Sequence, residues 1–343
     1  MRKNAGRNRT RGPGRPHAIR LVAGRLRDAV RAYRRQRREF AAIPPGPPIL
    51  VTGTHRSGTT WVGRMLAVPG VWHLHEPFNP NRGLWREPFS YRRPSEPDRQ
   101  VDRIARRLLR GGLRRMLNVP HSDHPCMPLR LLGARPARIL VKDPLACLLG
   151  PYLAQHHGFV PLVIFRHPCG FVASVLRLGW PTGGFLGKLL QQQPLMQDHL
   201  EPYRHLLERY QDEDSPAAAA VLTGALNRVL WNAVTARQWN WVTFESLCDD
   251  PLTRFKSLFA TFSLPYDDTT RAFHESLCLA GSDRPADYHP HAVKRRSRAM
   301  ATAWRKELSD DVVRRVWNVW REFDIPLYEP AGTVADSSKH SLS

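Results

Sequence analysis

Between Ile49 and Leu66 an apolar run, a glycine-bounded loop and a helical pattern follow one another directly, and this succession limits the fold more than any other stretch. Ile49-Leu50-Val51 reads as a short strand buried on both faces of a parallel sheet. Gly53 to Thr60 follows as G-x-x-x-x-G-T-T, the spacing of a phosphate loop, with Thr59 where an NTPase carries lysine. Backbone N–H groups of such a loop, together with the helix N-terminus behind it, bind an anion without a particular side chain. The cation here is Arg56, on the loop itself, and Thr59 and Thr60 add hydroxyls in the first helical turn.

Further apolar runs at Val71–Leu74, Ile139–Val141, Leu162–Phe165 and Trp241–Phe244 alternate with helical patterns over 101–117, 168–178, 217–238, 251–262 and 309–323. Strands alternating with helices predict an α/β protein: a central, mainly parallel sheet flanked by helices in three layers. The proline run Ile43 to Pro48 marks where the domain begins. The division is a basic, partly helical segment 1–43, one domain over 44–328, and a tail 329–343. The Pro- and Arg-rich stretch Asn79–Asp98 reads as a site-forming loop, whose Trp85, Phe89 and Tyr91 either stack on a ligand or anchor the loop.

The 343 residues carry 52 Lys+Arg against 30 Asp+Glu, a net charge of +22 that raises the question of nucleic acid. More than half of it, +12, sits in residues 1–40, and arginine supplies 45 of the 52 cations, a coding-type bias rather than a contact surface. The stripe Ile19, Val22, Leu26, Val30 and Tyr33 gives residues 17–40 a thin apolar face, which packs on the domain or touches an anionic membrane surface. No apolar stretch reaches the roughly 18–20 residues of a membrane span. Five scattered cysteines without C-x-x-C fit reduced thiols. A cytoplasmic protein is expected, with peripheral contact at the inner membrane surface as a second option. Oligomeric state is not legible.

With these residues in view, Thr54-His55-Arg56-Ser57-Gly58-Thr59-Thr60-Trp61 resembles the 5′-phosphosulfate loop of sulfotransferases that use 3′-phosphoadenosine 5′-phosphosulfate (PAPS). A second match stands farther on. Leu162-Val163-Ile164-Phe165-Arg166-His167-Pro168 is a strand ending in arginine, with Ser174 eight residues after it, and is similar to the family's 3′-phosphate motif. The resemblance covers roughly residues 47–327 and lies closer to the carbohydrate O-sulfotransferase branch. It implies a P-loop-type fold, PAPS as donor with PAP as product, no metal, and a hydroxyl acceptor on a carbohydrate or glycolipid. Arg56, Ser57, Gly58, Thr59, Thr60 and Trp61 would hold the 5′ end of the donor, and Arg166 and Ser174 the 3′-phosphate. The loose basic run with Arg295 and Arg296, ahead of Trp304-Arg305, resembles the family's last cofactor segment.

Sulfuryl transfer needs a cation at the leaving group and a base at the acceptor hydroxyl. Arg56 takes the first role. Glu76, in His75-Glu76-Pro77 at a strand's carboxyl end, resembles the family's carbohydrate-branch base, with Asp143 as its rival and His73 and His75 as competitors. Lys142 ends another strand, at the position where the cytosolic branch has a lysine contacting the sulfuryl group. The histidine base of that branch is missing, since Asp143-Pro144 follows. Glu245, after Trp241–Phe244, reads as structural. Two alternatives from other classes remain: a P-loop nucleotide kinase, disfavoured by Thr59, and a nucleic-acid-binding protein using the basic first segment.

Overall fold

The computed structural model describes residues 41–82, 84–110, 138–280 and 296–329, with nine further positions between 24 and 39. Among the described residues five strands form one sheet: β1 (Ile49–Gly53), β2 (Val71–His75), β3 (Arg138–Lys142), β4 (Val160–Phe165) and β5 (Asn240–Thr243). The order is β2-β3-β1-β4-β5 and every pairing is parallel. Between the strands run α1 (Thr59–Leu66), α2 (Arg99–Leu109), α3 (Gly150–His157), α4 (Pro168–Leu178), α5 (Gly183–Leu190), α6 (Arg204–Tyr210) and α7 (Pro216–Arg237). After β5 come α8 (Phe244–Asp249), α9 (Pro251–Thr261), α10 (Asp268–Cys278), α11 (Ser297–Ala301) and α12 (Asp310–Arg321). This is the three-layer α/β architecture expected from the strand–helix alternation.

Strand alternation sorts the core onto two faces. Ile49 and Val51 of β1 and Leu162 and Ile164 of β4 pack with Val62 and Met65 of α1 and Phe255 and Phe259 of α9. On the opposite face Leu50, Trp72, Leu74 and Val141 meet Val101 and Leu108 of α2. Val163 and Phe165 of β4 continue that second face against Phe171 of α4 and Leu226 of α7. The α1 face also takes His73, His75 and Lys142, because their registers alternate with those of the apolar residues.

Local chemistry sets the helix starts. Asp98 caps α2 by accepting from the Gln100 and Val101 N–H groups, and Ser215, Asp250 and Ser309 cap α7, α9 and α12 in the same way. The helical pattern at 101–117 is realised as 99–109 with Arg110 as its C-cap, and 111–117 lie outside the described residues. Phe244, read as the end of a strand, instead opens α8, because Thr243 caps that helix through Ser246 N–H. No helix among the described residues is long and apolar enough to cross a membrane. Most of the basic segment 1–43, Arg295 and most of the tail 329–343 fall outside the described residues.

Candidate active site

The sheet reverses direction of winding at β1, with β3 on one side and β4 on the other. In open α/β sheets a ligand crevice forms at the carboxyl ends of the strands beside such a point. Four strands deliver chemistry there: β1 the glycine loop, β2 Glu76, β3 Lys142-Asp143 and β4 Arg166-His167.

The glycine loop is tight. Ser57 N–H donates to the Thr54 carbonyl at 3.1 Å, and Val62 N–H reaches the Gly58 carbonyl at 3.1 Å to start α1. Gly53 (φ 147°) and Gly58 (φ 97°) take conformations closed to most side chains. A Cβ on Gly53 would stand 2.3 Å from the Ile164 carbonyl oxygen. Arg56 is left-handed without being glycine, at φ 67°, a strain that tends to persist where it serves a site. Thr59 is buried, and no side chain caps the start of α1.

Arg56 and Arg166 join the two loops. Arg56 Nε donates to Ser174 Oγ at 3.0 Å, and Arg166 Nη1 donates to the Arg56 carbonyl at 2.7 Å. Arg166 lies over the Phe244 ring, 4.5 Å from its centroid, and Arg56 over Trp180 at 5.3 Å. Burial lowers the Arg166 pKa, opposed by the charge of Glu245, yet Arg166 makes no ion pair among the described residues. Its Nε, with Thr54 Oγ1 and Ser57 Oγ, is a buried polar atom with no partner among those residues. Buried donors are normally satisfied, so this set fits a polyanion such as the two ends of PAPS.

The second cluster surrounds Glu76. Its backbone is also left-handed, φ 49°, pinned by its N–H to the Lys142 carbonyl at 2.7 Å. Lys142, fully buried, places Nζ 2.5 Å from Glu76 Oε1 and 3.3 Å from His75 Nε2. Asn79 Nδ2 donates to Glu76 Oε2 at 2.8 Å. Burial pulls the Lys142 pKa down while the Glu76 charge pushes it back up. Asp143 is spent on the backbone: its Oδ2 accepts from Phe78 N–H at 2.6 Å and its Oδ1 from Leu145 and Ala146 at 2.9 and 3.2 Å. Burial, with the Glu76 charge second, raises its pKa to about 7, but three N–H donors fix it as the clamp of the β3 exit.

The other predicted residues separate. Trp61 packs edge-on against Phe244 and Phe255 in the core below α1. Trp85, Phe89 and Tyr91 are buried loop anchors: Trp85 Nε1 donates to the Glu87 carbonyl and Tyr91 OH to Asp198. Trp304 stacks on His167 with centroids 4.7 Å apart, holding the start of α4. Glu245 accepts from His167 N–H and Tyr328 OH, a structural cross-link. Arg296 is exposed just ahead of α11, and Arg295 lies outside the described residues.

Two residues were not singled out from the sequence. His55, 5% exposed, packs against Phe89, Phe171, Trp180 and Phe185 with centroids 4.9–6.1 Å away. Both its ring nitrogens lack a partner among the described residues. Trp180 stacks on it from the solvent side, 37% exposed, directly after the left-handed Gly179. A histidine immediately before the loop arginine is the one sequence signal that could have drawn notice.

No family model matches the sequence, and no curated protein matches it. Solved structures do match. A sulfotransferase domain from the curacin biosynthetic pathway is 13% identical at a TM-score of 0.43, covering 82% of this chain and 99% of that one. The sulfotransferase domain of the Synechococcus PCC 7002 olefin synthase is 16% identical at 0.39, covering 82% and 96%. A mouse sulfotransferase complexed with PAP is 11% identical at 0.41, covering 83% and 87%. Likenesses at this level carry no argument about what the chain does, so the geometry of the two clusters has to carry it.

Proposed function

We propose that this protein is a sulfotransferase that moves the sulfuryl group of PAPS to an acceptor hydroxyl on a carbohydrate or glycolipid. The observation that carries the reading is Arg166. It is a part-buried arginine whose buried Nε has no partner and which meets no carboxylate among the described residues, and it is tied to the Arg56 carbonyl and so to a loop shaped for a second anion. A nucleotide with phosphate at one end and phosphosulfate at the other answers both needs, whereas a kinase has no use for the Arg166 site.

When bound, PAPS supplies the sulfuryl group. Arg166 and Ser174 hold the 3′-phosphate, and the N–H groups and hydroxyls from Ser57 to Thr60 hold the 5′ end. Arg56 stabilises charge on the leaving oxygen, an effect of about 3–4 kcal/mol for one preorganised donor. Glu76 takes the acceptor proton, and the Lys142 ammonium lies beside it. The acceptor class rests on the pairing of Arg56 with Glu76 in the two motifs.

Calorimetry with PAP and with ATP tests the donor. Micromolar PAP binding that is lost in Arg166→Ala, with weak ATP binding, supports the reading. Equal affinity for the two nucleotides overturns it.

A further inference from the structure

The Lys142–Glu76 pair conflicts with the chemistry asked of it. Both Glu76 oxygens receive donors, Oε1 from the Lys142 ammonium at 2.5 Å and Oε2 from Asn79 at 2.8 Å. A carboxylate bonded to a buried cation is a poor base toward an incoming hydroxyl. Asp143 cannot stand in, since three backbone N–H groups occupy it. Glu76 acts as base only after Lys142 leaves Oε1.

His75 makes that departure possible. Its Nε2 lies 3.3 Å from Lys142 Nζ and 3.6 Å from Glu76 Oε1. An ammonium only donates, so a hydrogen bond between the two requires Nε2 as acceptor, with the ring proton on Nδ1. Lys142 thus has a charged seat and a neutral one, which uses two of its three N–H bonds among the described residues. Lys142 pairs in register with Val51, two residues before the glycine loop, and feels the positive charge of Arg56. An anion arriving at Arg56 therefore pulls on the Lys142 ammonium as well, and the bond to His75 keeps that ammonium from being stranded while it moves.

We propose that His75 is a positioning residue that lets Lys142 pass from Glu76 toward the sulfuryl end of the donor, so that donor binding raises the proton affinity of Glu76. This rests on the PAPS reading above. Around Glu76, Asp143 after β3, raised to about 7, adds only a partial like charge near pH 6.5, His55 is neutral, and the Asn79 donor favours the carboxylate and so opposes the switch. Arg56 opposes it, but its charge is then directed at the donor. Lys142 stays protonated throughout. In the binary complex the proton comes from solvent and occupies Glu76 only in part; it returns to solvent before transfer, when the ionised carboxylate takes the proton of the acceptor hydroxyl.

The test needs no acceptor. Calorimetric titration of the full chain with PAPS at about pH 6.5, in buffers of different ionisation enthalpy, counts the protons taken up on binding. Wild type should take up several tenths of a proton more than Glu76→Gln. His75→Leu should fall to the Glu76→Gln count, and His75→Gln, whose side-chain oxygen can accept from Lys142, should keep the wild-type count. PAP titrations serve as the check on folding and on the donor reading. Equal PAPS proton counts for wild type and Glu76→Gln, with PAP still bound, overturn the switch and leave the sulfotransferase reading standing. A wild-type count kept in His75→Leu overturns the role of His75. If His75→Leu fails to bind PAP, a His75→Gln count equal to that of Glu76→Gln overturns that role instead. If wild type binds neither nucleotide, the donor reading itself falls.

Discussion

Arg56 Nε donates to Ser174 Oγ at 3.0 Å, so the glycine loop after β1 and the middle of α4 are bonded directly across 118 residues of sequence. Arg166 adds the second tie, to the Arg56 carbonyl at 2.7 Å. The glycine loop and the β4–α4 turn are therefore tied together along one edge of the crevice. Neither arginine can change its contacts without the other responding.

This coupling makes Arg166→Lys a severe change. A guanidinium can bond the Arg56 carbonyl and an anion at once through different nitrogens, whereas a lysine offers one compact ammonium on a shorter reach. One or two charge-assisted bonds of about 1.5–3 kcal/mol each are then lost, so PAP affinity should drop at least about tenfold although the charge is kept. Ser174→Ala, which removes one neutral partner, should cost only about 1 kcal/mol. Calorimetry ranks the two; a harmless Arg166→Lys would mean that charge alone is needed.

Glu76 and Lys142 should behave as one unit in stability. Removing either partner leaves a buried charge without its counter-ion, at a cost of about 3–5 kcal/mol, with Glu76→Gln at the lower end because the amide still accepts a hydrogen bond. The double variant Glu76→Gln/Lys142→Met leaves no charge behind and should recover most of that loss. Urea unfolding of the four proteins gives the coupling energy directly. Strict additivity would show that the pair is not formed.

The parts of this arrangement legible in the sequence are those written in a few consecutive residues. The strand–loop–helix at Ile49–Leu66 and the strand–Arg166–helix at 160–178 are local patterns, and their boundaries agree with the structure within two residues. The pairing of Glu76 with Lys142 was not legible, because it depends on β2 lying next to β3 although α2 and the chain on either side of it intervene. The sequence placed both at strand ends but gave no distance between them. Likewise, nothing local tells that His55 turns toward Phe89 and Phe171 or that Trp61 turns toward the core. Both follow from which face of the sheet each helix covers.

Gly53→Ala should be among the most damaging single-methyl additions in the protein. The residue sits at φ 147°, and a Cβ would meet the Ile164 carbonyl oxygen of β4 at 2.3 Å. That oxygen belongs to the backbone of an adjacent central strand, so relief requires moving β4 or rebuilding the loop. A loss of about 2–4 kcal/mol is expected, together with loss of PAP binding. Thermal unfolding with and without PAP checks both; a variant of normal stability would mean the loop has slack.

His55 should make the fold acid-sensitive, and its replacement should relieve that. Burial, reinforced by Arg56 and opposed by Glu76, lowers its pKa from 6.5 to about 3. Between those values the unfolded chain binds a proton that the folded chain does not. The stability gained from burying the neutral ring is thus complete above pH 6.5 and is lost as pH falls toward 3, with a slope of up to about 1.4 kcal/mol per pH unit. His167, lowered to about 3 chiefly by burial, acts in the same direction and over the same range. His55→Leu removes one of the two contributions, so the slope of stability against pH from 6 to 4 should fall by roughly half of the part these two histidines supply. At neutral pH the substitution also removes two buried nitrogens without partners among the described residues, each costing about 1–3 kcal/mol, so the protein should become no less stable. Urea unfolding across that pH range measures both effects. A His55→Leu protein that is destabilised at pH 7 with an unchanged acid slope would show that the imidazole is held by hydrogen bonds rather than merely buried.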